Sequence, residues 1–260
     1  MSTTLDAGRR WALVTASPGE ELRVFGWAEL TRPVHSILTD GSGRDGISRV
    51  ERSRELVGLG AVEPGAMYGA LTTRDVYAAL LDRNIEFFLK LAHALCADFL
   101  ARGIDSLLVN DAEGHDAIQD VTSFVSRAAA GVASRARGDR LEQYVYSAVD
   151  HPDLARERPA AVQIVLTPEM FERKLEAARR MEEMSSDISA RIAQWGANAL
   201  RIETIHPAEE RKPQTLFRQE RPSYEGLGER RVAQGHYASA IRFREHILPL
   251  AIALDELQGA

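Results

Sequence analysis

Along the chain, short apolar runs closed by turn residues alternate with longer stretches that carry apolar positions at helical spacing. Ala12, Leu13 and Val14 sit inside WALVTASPGEELRVFGW (Trp11 to Trp27) and form the first run. It is too short for a helix, and its freedom from polar residues suits a strand covered on both faces. Ser17, Pro18 and Gly19 then break it. Ser17 as N-cap, Pro18 at the first helical position and Glu20 and Glu21 in the first turn predict a helix start there. VHSIL (Val34 to Leu38) is the second predicted strand, ending at Thr39, Asp40 and the loop GSGRDG. Ser48 caps a predicted helix over Arg49 to Leu59, which stops at Gly60.

From Thr73 to Arg102, Val76, Leu80, Leu81, Phe87, Phe88, Leu91, Leu95 and Phe99 recur at helical spacing and predict one long helix closed by Gly103. A third strand, Ile104 to Val109, leads into the polar loop NDAEGHDAIQD (Asn110 to Asp120), and a helix of small residues follows over Val121 to Ala136. Tyr144 to Val149 and Ala161 to Leu166 read as further strands, for a sheet of about five or six. Between them Asp150, His151 and Asp153 stand at close, metal-ligand-like spacing around Pro152. A charged helix runs from the Thr167 cap to about Trp195. Pro207, Pro213 and Pro222 mark residues 207 to 228 as an extended strap, and a terminal helix over Glu229 to Leu257 should kink at Pro249.

Strands alternating with helices predict an α/β fold: a Rossmann-like three-layer sandwich with a mostly parallel sheet and a helical C-terminal extension. We expect one α/β domain over residues 1–206, with 207–260 packed on it as strap and helix. The length of 260 residues, 45% hydrophobic, allows one large core. A net charge of -6 argues against nucleic acid as a partner. No run reaches the apolar length of a membrane span, and the lone Cys96 fits a reducing, cytoplasmic setting.

The loops that leave the carboxyl ends of the strands are where an open α/β sheet binds ligands. That rule nominates Ser17, Glu20, Glu21, Asp40, Glu113 and His115. His115, beside the acids Glu113 and Asp116, is the best single candidate for a general base, because only histidine titrates unperturbed near neutral pH. In the strap, Tyr224 and Glu225 follow Pro222 and are expected to cross the mouth of the site as a lid. Tyr224 would contact a ligand and Glu225 would recognise an amine or act as an acid; Arg230 is a further binding candidate in the same segment.

The order of ASPGEE after a strand, LTDGSG after the next, SRVERSREL, and then LLVNDAEGH before a helix resembles the LmbE/PIG-L-like superfamily over roughly the first 135 residues. That resemblance implies a Rossmann-like fold and zinc-dependent deacetylase or amidase chemistry on amino sugars and related small molecules. It also exposes departures. The family's first loop reads A-H-P-D-D-E, and its two zinc ligands and catalytic base fall here on Ser17, Glu20 and Gly19. The family's second loop reads G-H-P-D-H; His115 matches its first histidine, and Ile118 takes the place of the zinc-binding second one, unless a shifted alignment brings Gln119 or Asp120 there. A rebuilt metal site would draw on Glu20 with His115 and Asp116 or Asp120. Arg49 and Glu51 match the family's helix start beside the pocket, where a guanidinium can hold a carboxylate.

The resulting expectation is a small-molecule enzyme acting on an amine- or amide-bearing metabolite. It would work by hydrolysis if a zinc or other divalent site is rebuilt, and otherwise by metal-free acid and base chemistry. A non-catalytic binding or partner protein on the same fold is the alternative, and a homo-oligomer stays open.

Overall fold

The computed structural model describes residues 8–43, 45–58, 62–147, 160, 162–180, 192–194 and 196–259. Its sheet has seven strands among these residues: β1 (Trp11–Thr15), β2 (Val34–Thr39), β3 (Glu63–Leu71), β4 (Ser106–Asn110), β5 (Glu142–Tyr146), β6 (Val162–Val165) and β7 (Ile202–Pro207). Their order is β3-β2-β1-β4-β5-β7-β6. The first five run parallel, and β7 lies antiparallel to both β5 and β6. The chain winds outward from β1 to β3 and returns to continue from β4, so the topological switch point falls between β1 and β4.

Helices cover both faces, as a parallel sheet requires. The alternation along each strand decides which side chain goes where. On β1, Ala12 and Val14 join Leu107 and Val109 of β4 in the larger core. That core is closed by α3 (Thr73–Leu81), α4 (Ile85–Ala101), α5 (Ala117–Arg137) and α8 (Leu248–Gly259). Trp11, Leu13 and Leu108 point to the opposite face, where Trp27 of α1 (Phe25–Thr31) stands edge-on to Trp11, their ring centroids 5.3 Å apart. Beyond them α6 (Pro168–Arg180) packs Ala177 and Ala178 on Leu22 and Phe25. This is the three-layer α/β sandwich that the alternation of elements implies. The C-terminal elements share the larger core, to which Leu216, Tyr224, Phe243, Ile247 and Leu254 contribute.

Several elements differ from the expectation, each for a local reason. After β1 the chain forms no α-helix at Ser17: Gly19, at φ 99°, turns it left-handed into a 3-10 turn over Glu20–Val24, and α1 begins only at Phe25. The long apolar stretch is two helices, because Arg83 takes φ 52° and Asn84 caps α4 through the Phe87 N–H at 3.1 Å. Strand β3 was not expected, since Pro64, Gly65 and Gly69 disguise it; its pairing with β2 shifts register twice. The antiparallel β7 was likewise unforeseen. The terminal segment divides into α7 (Ser223–Ala233), a π-type turn (Phe243–Ile247) and α8, and Pro249 is the second residue of α8, directly after that wider turn, rather than in the middle of one continuous helix. Of the long charged helix, 168–180 and 192–194 are helical, and the rest lies outside the described residues, as do Asp150, His151 and Asp153. The helix α2 (Val50–Gly58) forms where expected.

The face that carries α1 and α6 is held by a buried ion pair. Glu203 of β7 meets Lys174 of α6 at 2.9 Å, with both side chains almost entirely covered. The same carboxylate accepts the Gly26 and Trp27 backbone N–H groups at 3.0 and 2.9 Å, where the dipole of α1 favours negative charge. Replacing Lys174 by Met leaves that carboxylate buried with its cation removed. We expect a loss of roughly 3 kcal/mol in urea unfolding, and a variant as stable as the parent would show the pair to be incidental.

Candidate functional site

The loops leaving β1, β2, β3 and β4 converge on a cleft of about 390 Å³ at the carboxyl edge of the sheet. Ser17, Pro18 and Glu20 come from the β1 loop, and Gly41, Gly43 and Arg49 from the β2 loop. Thr73 and Tyr77 come from the start of α3, and Asp116, Ile118 and Gln119 from the start of α5. This is the switch-point position at which open α/β sheets bind ligands.

Glu20 is the chemical centre of the cleft. The turn at Gly19 folds its side chain back under its own loop, where Oε2 accepts the Ala16 N–H at 3.0 Å and Oε1 accepts the Gln119 side-chain amide at 3.1 Å. Burial, which outweighs both hydrogen bonds, lifts its carboxyl to about pKa 7, and the Asp116 charge adds to the rise while Arg23 opposes it. Asp116 stands across the loop as the N-cap of α5. One of its oxygens accepts the Ile118 and Gln119 N–H groups at 2.8 and 3.2 Å. Gln119 has its amide oxygen buried without a hydrogen-bond partner among the described residues. The Tyr77 hydroxyl is held well above the usual phenol range by burial first and by Asp116 second. Arg49 donates to the Gly41 carbonyl and pairs with Asp45 at 2.9 Å, so it pins the β2 loop. Its neighbour Glu51 pairs instead with Arg54 at 3.3 Å on the surface.

Other expected site residues lie elsewhere. Asp40 accepts the Ser42 and Thr73 N–H groups at 2.9 and 3.3 Å and shapes the loop without lining the cleft. Glu21 turns inward, accepts the Gly19 N–H at 2.8 Å and the Ser53 hydroxyl, and joins the β1 loop to α2; burial raises its pKa. His115 is exposed and does not line the cleft, and Glu113 accepts the Ser147 hydroxyl at 2.7 Å. Asp120 points into the protein, where one oxygen accepts the Gly114 N–H at 3.1 Å and burial raises its pKa strongly. The expected lid is part of the packing. Tyr224 and Glu225 occupy the first turn of α7, Tyr224 in the larger core and Glu225 accepting the Phe243 N–H at 2.8 Å and Arg221 at 2.7 Å. Arg230 is exposed on the same helix. Tyr77 was missed as a site residue and Gln119 entered only through the shifted alignment, although each stands in the opening turns of a helix that lines the cleft.

The positions where the resemblance places zinc ligands do not assemble a metal site. Ser17 hydrogen-bonds Thr39 at 3.2 Å, both Glu20 oxygens are engaged, and Ile118 is buried in the larger core. The alternative triad fails because His115 and Asp120 do not line the cleft that Glu20 and Asp116 share. Among the described residues no group of three His, Cys, Asp or Glu side chains stands close enough to hold an ion, whereas catalytic zinc takes three protein ligands.

Fold and site together define an α/β sandwich with a carboxyl-lined cleft at its switch point. No family model matches the sequence, and no curated protein matches it. Among solved structures the chain is similar to the conserved protein TT1542 from Thermus thermophilus, at 18% identity and TM-score 0.45, over 76% of this chain and 93% of that one. It is also similar to the antimicrobial reagent A40926 pseudoaglycone deacetylase Dbv21, at 16% identity and TM-score 0.47, over 77% and 99%. A third is the zinc inhibited form of teicoplanin deacetylase Orf2, at 12% identity and TM-score 0.42, over 77% and 100%. These structures have the LmbE/PIG-L-like fold.

The position of the Glu20 pKa has a consequence for stability. Its folded value of about 7 lies above the ordinary 4.5, so between those two the folded protein holds a proton that the unfolded chain has released. Stability from this group is complete below that window and is lost as pH rises through it. Relative to Glu20→Gln, the parent should lose on the order of 3 kcal/mol between about pH 4 and about pH 8. Urea unfolding of both proteins across that range checks this, and parallel profiles would show that Glu20 titrates normally.

Proposed function

We propose that the protein binds and transforms a small amine- or amide-bearing metabolite in this cleft, with Glu20 as the group that takes up and releases the proton. The observation that carries the reading is a pair of carboxyl side chains, Glu20 and Asp116, lining one cleft at the switch point, with Glu20 titrating near neutrality. A base whose pKa matches the working pH combines the right protonation state with useful driving force. Asp116 attracts an amine, and the Tyr77 and Ser17 hydroxyls supply the polar contacts that orient a small ligand. The deacetylase or amidase class comes from the motif order ASPGEE, LTDGSG, SRVERSREL and NDAEGH. No step is routed through a metal, since the residues at the zinc positions do not form a ligand set.

A second reading, binding without turnover, has its own support: both Glu20 oxygens are already bonded within the protein. The two readings separate in one experiment. The protein is incubated with a panel of N-acetylated amino sugars, simple amides and their free amines, with release of amine and ligand-induced thermal shift read in parallel. The enzyme reading expects amine release whose kcat/KM rises through about pH 7, falling roughly 100- to 10 000-fold in Glu20→Gln. Asp116→Asn should keep the helix cap, since Asn caps as well as Asp, and weaken amine binding about tenfold, a change of about 1.4 kcal/mol. Thermal shifts without release select the binding reading, and neither response would remove the cleft as a small-molecule site.

A further inference from the structure

Asn110 closes β4, is fully buried, and does not line the cleft around Glu20. Its Nδ2 donates to two backbone carbonyls, those of Asp111 and Gln119, at 2.9 Å each. Two acceptors on one side settle which way the amide points, since an oxygen placed there would face oxygens. The second bond spans the loop between the strand and α5. Gln119 is the residue whose side-chain amide donates to Glu20 Oε1 at 3.1 Å. Its backbone is therefore held from both sides by side chains, the N–H by Asp116 at 3.2 Å and the carbonyl by Asn110. A glutamine gives up the freedom of several side-chain torsions to make one bond, and a fixed backbone limits what remains to be ordered. Both donors to Glu20 are then set by neighbouring strands: Ala16 follows β1 directly, and Gln119 is held to β4 through Asn110.

We propose that Asn110 is a positioning residue for Glu20, acting through Gln119: it fixes the first turn of α5 so that the Gln119 amide meets Glu20 Oε1, and it does not itself touch the ligand. This role rests on the reading of Glu20 as the group of the cleft that takes up and releases the proton. The Gln119 bond favours the ionised form of Glu20 and so works against burial. Loosening it should therefore raise the point at which Glu20 ionises. The charges that act on Glu20 are Arg23 from its own turn, which lowers that point, and Asp116 from α5, which raises it. Arg49 of the β2 loop and Tyr77 of α3 also line the cleft. Asn110 donates to none of these four side chains, since both its bonds go to backbone carbonyls.

The full chain is titrated by NMR at the Glu20 carboxyl carbon, its signal assigned by loss in Glu20→Gln. Asn110→Ser, whose hydroxyl is too short to span the loop, should move the Glu20 midpoint upward by roughly half to one pH unit. Gln119→Ala should give the same upward shift. The double variant should shift no further than Gln119→Ala alone, because the effect of Asn110 passes through Gln119. A merely structural Asn110 would lower stability and leave the midpoint in place. If Asn110→Ser does not fold, the parent decides: the side-chain amide nitrogens of Gln119 and Asn110 should both follow the Glu20 midpoint, with Asn110 moving less, and an Asn110 signal that ignores it would overturn the role. So would an unmoved midpoint in a folded Asn110→Ser, or shifts that add in the double variant. A parent midpoint near the ordinary 4.5 would instead remove the reading of Glu20 itself, and this role with it.

Discussion

The loop after β1 depends on burying the Glu20 carboxyl beneath itself. Taking a carboxyl out of water is costly unless its oxygens find donors, and here one donor is the Ala16 backbone and the other the Gln119 amide from α5. The pair of bonds therefore ties β1 to the helix that follows β4, across the switch point. Gly19 must be left-handed for the side chain to turn back. The next residue, Glu21, performs the corresponding link to α2 through Ser53. Two adjacent acids thus hold three loops in register around the cleft.

The contrast with Glu203 shows how environment sets the role of a buried acid. Glu203 has a cation at 2.9 Å and two backbone donors at a helix start. Glu20 has one amide and one backbone donor, no bonded cation among the described residues, and Asp116 nearby, so with burial its neutral form persists to about pH 7. One acid fastens a face of the sheet, and the other keeps its proton up to about neutral pH.

The parallel sheet was legible because β1, β2 and β4 are short apolar runs ended by turn chemistry, and the loops at their carboxyl ends follow from that alone. The lining of the cleft was legible where chain position decides it, as for Ser17, Glu20, Arg49 and Asp116. It was not legible where direction decides. His115 and Asp116 are neighbours, yet the cap geometry turns Asp116 toward the cleft and leaves His115 exposed. Tyr224 and Glu225 look like a mobile strap because they follow Pro222, but Pro222 starts a helix there, and the helix carries both inward. Strand β3 was hidden by Gly65 and Gly69. Gly65 lets the chain pass the Ser36 hydroxyl, which a Cβ would strike, and Gly69, at φ 65°, lies against Val50. β7 was hidden because its partners are antiparallel and distant in sequence, so no local period announces it.

The residues around the first loop are better understood together than one at a time. An ionised carboxylate at position 20 would line the cleft with no directly bonded cation among the described residues. Gln119 answers this by donating to Oε1, and burial answers it again by keeping the group protonated up to neutral pH. Ile118 meanwhile joins the larger core beside Val121 and adds apolar cover at the start of α5. Loop, helix start and core are thus mutually consistent around a neutral carboxyl. Changing Ser17, Ile118 or Gln119 alone would therefore disturb an environment that the other two help to define.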